Sequence, residues 1–335
     1  MRKVELQVDV SESAGFDGKQ HLACSVYLPD VESLPASPIV IFAVPGGGYS
    51  RGYYDMHFKG HEGYSEAEYH TRRGIIFISC DHLGVGASSL PDPDRITLNL
   101  LAKCYAACVR RILEQLDRGE IDPAFPPVKS PVVVGIGQSM GGCVTVLTQG
   151  QHRVFDGVGI LGYSGIHTRI PQKDAADQER AIVRRRLTRD ADVSKLSVAE
   201  TSSQVADFIY AFHWEDVPAP ILEADMGDGF PRKKRVPPFG SVTLPPCAVQ
   251  MVVAGAVAEE AAAIQVPVLI AVGERDVCPD PYAEPKAYSQ ARDIMLAIIP
   301  RMAHMHNFAS TRERLWRRTH AWARLVSEIT TGGAL

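Results

Sequence analysis

The sequence has no long hydrophobic run and almost no excess of charge. No apolar stretch reaches the roughly 18 to 20 residues that a membrane-spanning helix requires. Residues 1–13 lack the apolar segment and cleavage site of a signal peptide. A formal net charge of −4 over 335 residues gives no reason to expect nucleic acid or an anionic membrane as a partner. These absences predict a soluble globular protein of the cytoplasm.

The seven cysteines do not form a recognisable disulfide framework. Their number is odd, and several lie within strongly apolar segments. In a reducing cytoplasm, such residues are expected to be buried thiols. We therefore predict free cysteines that pack in the core.

Short β-rich runs alternate with helical patterns over much of the chain. Most runs are continuously apolar, as expected of strands covered on both faces of a mostly parallel sheet. Helical periodicity is strongest over residues 96–117 and 310–328. This alternation predicts an α/β fold with a central sheet flanked by helices. The predicted strands cover residues 22–28, 39–44, 75–80, 132–136, 157–161, 267–272 and 293–299.

The alternation stops between about residues 163 and 262, where the chain is more charged and richer in proline. We expect helices over 175–189 and 197–212, with extended loop in the rest of this stretch. Because strands resume near residue 267, the sequence predicts a core formed by residues 1–162 and 263–335. Residues 163–262 would then form an inserted, largely helical cap over the strand ends.

The strongest local signal is the pattern G-x-S-x-G at Gly137–Gly141. It lies between a predicted strand and a helix-like segment, where a tight turn lifts a nucleophilic serine above the sheet and glycines avoid clashes. Ser139 is therefore the candidate nucleophile, and Gln138 is a candidate for lining the site. The overlapping run from Gly135 also approaches a dinucleotide fingerprint, although Met140 occupies the place of its third glycine.

A glycine-rich turn, VPGGGYS at residues 44–50, follows the predicted strand 39–44. We predict that backbone N–H groups of Gly47 or Gly48, together with that of Met140, hold a developing oxyanion. Tyr49 is a candidate for lining the site. A phosphate-binding loop is disfavoured because the lysine and serine or threonine that end such a loop are absent.

A serine nucleophile needs a base and a group that orients the base. Asp276 follows the predicted strand 267–272 at its carboxyl end, where ligands bind in such sheets. Glu274 lies nearer the strand and is the weaker candidate. Two histidines, His304 and His306, follow the last predicted strand and compete as the base. Their H-x-H spacing has no carboxylate or cysteine ligand nearby, so we predict no metal.

Together these motifs resemble those of the α/β-hydrolase superfamily along most of the chain. The resemblance implies a Ser139–His304–Asp276 triad, favours His304 as the base, leaves His306 packed beside the site, and requires no cofactor. It also implies a structural turn at residues 81–88. The motifs, in chain order, are PGGGYS, DHLGVGAS, GQSMG, VPVLIAVGERD and MAHMHNF.

The predicted activity is hydrolysis of a carboxylic ester of a small or medium organic acyl substrate, through an acyl-enzyme. The fold hosts many reactions, so alternatives stay open at this point. The same serine would serve a C–C bond hydrolase acting on a β-diketone or vinylogous substrate. A non-catalytic small-molecule binding protein and a nicotinamide-dependent oxidoreductase are alternatives from other classes. The sequence also leaves open whether the chain forms a homo-oligomer.

Overall fold

A single eight-stranded sheet forms the centre of the computed structural model, which describes residues 1–174, 176, 205, 207–232 and 234–332. The spatial order of the strands is β1-β2-β4-β3-β5-β6-β7-β8. In chain order they are β1 (Arg2–Asp9), β2 (His21–Leu28), β3 (Ile39–Val44), β4 (Ile76–Cys80), β5 (Val132–Gln138), β6 (Gly157–Leu161), β7 (Val268–Arg275) and β8 (Ile294–Ala303).

The sheet is mostly parallel, as predicted, and all seven predicted strands are present. The six strands from β4 to β8 in the spatial order run parallel, whereas β2 is antiparallel to both β1 and β4. No strand was predicted at β1, because its sequence is rich in charged and polar residues. β1 is an edge strand with much of its surface exposed, so it forms without a continuous apolar run.

Helices cover both faces of the sheet. Successive residues of β3 alternate between two hydrophobic clusters, with Phe42 in one and Ile41 in the other, as the period of two of a strand requires. The predicted helices at 96–117 and 310–328 are confirmed. The helices in the described ranges are α1 (Ser11–Ala14), α2 (Glu66–Thr71), α3 (Leu98–Arg118), α4 (Met140–His152), α5 (Phe208–Phe212), α6 (Ala219–Met226), α7 (Ala258–Ala262) and α8 (Arg312–Thr331).

The long connection between β6 and β7 holds α5, α6, α7 and a 3₁₀ helix at Pro246–Val252. The predicted helix at 175–189 lies outside the described residues except for position 176, and only α5 of the predicted helix at 197–212 is described as helical. The prediction of extended loop elsewhere is wrong at α6 and α7. Pro218 and Pro220 stand at the N-terminal end of α6, where a helix tolerates residues without an N–H.

The α5 segment contacts the carboxyl ends of the strands directly. The backbone N–H of His304 donates to the carbonyl of Ala211 at 3.2 Å, and that of Met305 donates to the carbonyl of Phe212 at 2.9 Å. The long connection is therefore joined to the residues that follow β8. None of the helices in the described ranges is long and apolar enough to cross a membrane. All seven cysteines are buried and unpaired, as predicted.

The packing of α8 on the sheet depends on a tryptophan that fits over two glycines. An added Cβ at Gly157 would lie 3.2 Å from Trp322 Cζ2 and 2.8 Å from Val326 Cγ2, and one at Gly159 would lie 3.7 Å from Trp322 Cζ3. The bare backbone of β6 thus leaves the space that the indole occupies. Trp322 itself is fully buried.

We expect Trp322→Ala to lower the free energy of unfolding by about 3–5 kcal/mol, because glycines beneath the indole cannot fill the cavity it leaves. Urea denaturation measures the loss. Arg318→Ala removes an exposed side chain of the same helix and should change stability by less than about 0.5 kcal/mol. Equal losses in the two variants would contradict this account of the packing.

Candidate active site

Ser139 stands at a sharp turn between β5 and α4. Its backbone has φ 53° and ψ −116°, an unfavourable conformation for a residue with a side chain. The backbone approaches itself closely at two glycines of this turn. An added Cβ at Gly137 would lie 2.1 Å from the carbonyl oxygen of Gly141, and one at Gly141 would lie 2.1 Å from that of Val44. Glycine is therefore required at both positions.

The structure brings Ser139, His304 and Asp276 together from the carboxyl ends of three parallel strands. His304 Nε2 lies 2.9 Å from Ser139 Oγ, and His304 Nδ1 lies 2.7 Å from Asp276 Oδ1. All three residues are buried. Glu274, the weaker acidic candidate, instead accepts a hydrogen bond from the backbone N–H of Arg301 at 2.8 Å. This geometry suits a nucleophile, a base and a group that orients the base.

Four donors surround the Asp276 carboxylate. Besides His304, these are the backbone N–H groups of Gly273 and Val277, at 2.8 and 2.7 Å, and His306 Nε2, at 2.6 Å from Oδ2. Burial alone would raise the pKa of Asp276, but the two imidazoles hold it well below its ordinary value. Asp276 is therefore ionised, and the two histidines contact different oxygens of its carboxylate.

The glycine-rich turn lies beside Ser139. Gly47 lines the cavity above the serine, and Gly48 has φ +80°, which glycine adopts readily. The carbonyl of Gly48 accepts the backbone N–H of Ser241 at 2.9 Å. Met140 is the first residue of α4, where backbone N–H groups have no acceptor within the helix. The residues predicted to donate to an oxyanion thus flank the serine.

Tyr49 and Gln138, which were predicted to line the site, lie behind it. The Tyr49 hydroxyl donates to Asp225 Oδ2 at 2.8 Å, and its ring packs edge to face against that of Tyr53. The Gln138 amide donates to the carbonyl oxygen of His304 at 2.8 Å. Both side chains are fully enclosed, so they support the turn and the histidine rather than contacting a ligand.

A buried ion pair from the long connection supports the glycine-rich turn. The Arg232 guanidinium donates both to Asp225 and to the carbonyl oxygen of Gly48, and its carbon lies 4.5 Å from the centre of the Tyr49 ring. His213 Nε2 also lies 2.8 Å from Asp225 Oδ2. The side chains of Arg232 and Asp225 have no exposed surface. The ion pair therefore links residues of the connection to the backbone beside Ser139.

Above Ser139 and His304 lies a cavity with mainly apolar walls. Three phenylalanines stand close together there: the ring centres of Phe208 and Phe212 are each about 5 Å from that of Phe230, at 4.9 and 5.0 Å. No charged side chain other than His304, if protonated, lines the cavity among the described residues. Besides Gly47, the phenylalanines and the two site residues, the lining consists of Thr168, Ile170, Val205, Leu244, Ala248, Val249, Met251, Val252, Val277 and Met305.

The sequence matches no protein-family model, and no curated protein matches it. Solved structures do match the fold. An esterase from Thermogutta terrifontis has a TM-score of 0.57 at 17% identity, covering 97% of this chain and 99% of that one. A haloalkane dehalogenase loop variant from Bradyrhizobium elkanii has a TM-score of 0.62 at 13% identity, covering 98% and 99%. An α/β-hydrolase fold protein from Chitinophaga pinensis has a TM-score of 0.56 at 14% identity, covering 95% and 96%.

The chain has the α/β-hydrolase fold. Within this α/β-hydrolase fold, sequence reasoning identified the residues at the strand ends but missed the support behind the glycine-rich turn. Arg232 lies beside the basic run at 233–235, which looks like a solvated turn in the sequence. Its one available signal is Asp225, one of two acidic residues on the otherwise apolar helix α6, and the pairing becomes visible only in three dimensions.

We expect Asp225→Ala to lower the free energy of unfolding by about 3–5 kcal/mol, because it leaves the buried Arg232 charge without its partner. Glu223→Ala is the matched control on the same helix, since Glu223 and Arg235 form an exposed ion pair at 3.8 Å. That variant should lose no more than about 1 kcal/mol. Thermal or urea unfolding distinguishes the two, and a small loss for Asp225→Ala would rule out a supporting role for the buried pair.

Proposed function

We propose that the protein is a serine hydrolase that cleaves carboxylic esters with small or medium, mainly apolar acyl groups. The observation that carries this proposal is the hydrogen-bonded chain from Ser139 through His304 to Asp276, which opens directly into an apolar cavity. A buried serine with a purely structural role would not require an imidazole at its hydroxyl or an ionised carboxylate behind that imidazole. The alignment of Ser139, His304 and Asp276 fits nucleophilic catalysis.

In the proposed mechanism, Ser139 Oγ attacks the acyl carbonyl carbon while His304 Nε2 takes the hydroxyl proton. Asp276 accepts the hydrogen bond from His304 Nδ1, which fixes the tautomer and stabilises the protonated imidazole. His304 then gives the proton to the leaving alkoxide, and an acyl-enzyme ester remains on Ser139. Water activated by the same histidine attacks this ester, releases the carboxylic acid and restores the serine.

Negative charge that develops on the carbonyl oxygen needs donors in place before the reaction. We assign this role to the backbone N–H groups of Met140 and of Gly47 or Gly48. The position of Met140 at the start of α4 adds the favourable end of the helix dipole. The buried Arg232 contact on the Gly48 carbonyl holds the turn in one orientation, so the donors need little rearrangement.

The residues of the cavity wall favour an apolar acyl group. Aliphatic and phenyl side chains gain free energy by covering an apolar acyl chain, whereas a carboxylate placed there would find no lysine or arginine among the described lining residues. Residues 163–262 provide most of these walls, which supports the proposal that this segment acts as a cap. The partner is accordingly a small-molecule acyl compound.

The first test is labelling with a fluorophosphonate probe, which reacts with an activated serine. We expect labelling of the wild type at Ser139 and complete loss of labelling and esterase activity in Ser139→Ala. Ser310→Ala changes an exposed serine and should behave as the wild type. If the folded wild-type protein is not labelled and hydrolyses none of a panel of acyl esters, the proposed function is wrong. Turnover of a β-diketone but of no ester would indicate the C–C bond hydrolase.

The second test compares nitrophenyl esters of a neutral and a charged acyl group of similar length, hexanoate and hemisuccinate. Because no cation in the described lining pairs with a second carboxylate, we expect kcat/KM for the charged ester to be lower by about 10²-fold or more. Steady-state kinetics at a pH where the carboxylate is ionised measures the ratio. Equal or higher kcat/KM for the hemisuccinate would contradict the assignment of an apolar acyl site.

A further inference from the structure

Asp276 is bonded by two imidazoles rather than one. His304 Nδ1 and His306 Nε2 approach different oxygens of the carboxylate, at 2.7 and 2.6 Å. The two remaining contacts come from backbone N–H groups at 2.8 and 2.7 Å, so the carboxylate accepts four hydrogen bonds in all. To orient the base of a triad, the Asp276 carboxylate needs to contact only His304. The role of the second imidazole is therefore unexplained.

We propose that His306 is a positioning residue that fixes the Asp276 carboxylate and weakens its pull on the protonated form of His304, thereby setting the pH at which the base becomes active. This inference rests on the proposed function, because it concerns the strength of the base at Ser139. His306 does not touch the serine, and it acts only through Asp276.

The hydrogen-bond partners of His306 determine its tautomer. An ionised carboxylate only accepts, so the nitrogen that faces Asp276, Nε2, carries the proton. The other nitrogen, Nδ1, is buried and has no hydrogen-bond partner among the described residues. A proton there would be a buried, unsatisfied donor, which is costly. His306 therefore donates to Asp276 through Nε2, and this contact is its one side-chain hydrogen bond among the described residues.

Sharing one carboxylate between two donors weakens each individual bond. Without the His306 donor, Asp276 would accept more strongly from His304 and would favour its protonated form, so His304 would lose its proton only at a higher pH. The carboxylate would also lose one of the contacts that set its plane. Both effects reduce the fraction of enzyme whose base is free and correctly oriented at neutral pH.

The other titratable groups around this pair do not account for such a change. Tyr53 and Cys278 lie within the electrostatic reach of Asp276, and burial raises the pKa of both, so they are neutral near pH 7. Burial also raises the pKa of Glu284, which faces Cys278 and accepts the backbone N–H of Gly165 at 2.9 Å. These three groups are unaltered in the variants that change His306.

Phe212 and Gly162 also pack against the two imidazoles and carry no charge, whereas the Glu66 carboxylate is linked to this region through Asn307. The ring of Phe212 on α5 lies 5.4 Å from that of His304, and Gly162, after β6, lies against both histidines. Asn307, next to His306, donates its backbone N–H to the Tyr53 hydroxyl and its amide to Glu66 Oε2, at 3.1 and 2.9 Å. A change at position 306 therefore acts on His304 principally through the shared carboxylate.

The experiment measures the rate of fluorophosphonate labelling from about pH 5 to pH 9 in the wild type, His306→Phe and His306→Gln. Phenylalanine keeps the volume but removes the donor, whereas the glutamine Nε2 can replace the imidazole Nε2. We expect His306→Phe to label about tenfold more slowly at neutral pH, with the acid limb of the profile moved up by about half a pH unit. His306→Gln should restore most of the rate and the wild-type limb.

A second readout does not require activity. Imidazole N–H protons held by a carboxylate give downfield proton resonances in NMR spectra, so we expect two in the wild type and one in His306→Phe, shifted further downfield. His152→Phe is the control, because His152 is a half-buried imidazole at the C-terminal end of α4, the opposite end of that helix from Ser139. Its labelling profile should match that of the wild type.

Several results would overturn the inference. A folded His306→Phe protein with the wild-type rate and limb would show that the second donor is irrelevant. A slower rate with an unmoved limb and no rescue by glutamine would indicate a structural role alone. Loss of labelling in His306→Phe with retention in His304→Phe would make His306 the base. An unlabelled wild type that still shows both NMR resonances would instead overturn the proposed hydrolase function and leave the Asp276 geometry standing.

Discussion

A buried negative charge at the end of β7 is the constraint on which the rest of the site depends. The Asp276 side chain has no exposed surface, and ionisation in such surroundings is unfavourable unless donors converge on it. Two backbone N–H groups, from the end of β7 and the loop after it, and two imidazoles from the loop after β8 supply them. The sheet brings these loops together because β7 and β8 are parallel neighbours. The position of His304, and hence its alignment with Ser139, follows from satisfying this charge.

A buried ion pair supports the other half of the site. Arg232 and Asp225 belong to the long connection between β6 and β7, yet Arg232 bonds the carbonyl of Gly48 in the turn after β3. Most of the cavity wall comes from the same connection. The segment that lines most of the cavity is thus physically linked to the glycine-rich turn beside Ser139. A change in one is expected to disturb the other, since additivity fails for residues in one network.

Most of the central sheet could be predicted from the sequence because its strands are buried on both faces and read as continuous apolar runs. β1 was not predicted, because an edge strand with exposed faces has no continuous apolar run. The elbow at Ser139 was predictable because its steric requirement for Gly137 and Gly141 is local. The arrangement around Asp276 was only partly predictable. The position of Asp276 after a strand was evident from the sequence, but the contact of a second imidazole with its carboxylate depends on the geometry of the loop after β8.

The long connection resisted prediction for two physical reasons. Prolines at the start of α6 resemble loop residues unless the end of the helix is known. The buried role of Arg232 depends on contacts with residues more than 180 positions away, and its neighbouring basic residues suggest solvent exposure. Tyr49 and Gln138 were misplaced for a related reason, since residues beside a motif are not necessarily on its open side. Side-chain direction at such turns is set by tertiary packing.

The most direct test of the central claim is a crystal structure of the protein after reaction with an alkyl fluorophosphonate. We expect a covalent bond between phosphorus and Ser139 Oγ, with the phosphoryl oxygen within hydrogen-bond distance of the N–H groups of Met140 and of Gly47 or Gly48. The alkyl chain would lie among Phe208, Phe212 and Phe230. An adduct on another residue, or a phosphoryl oxygen turned away from the glycine-rich turn, would contradict the account.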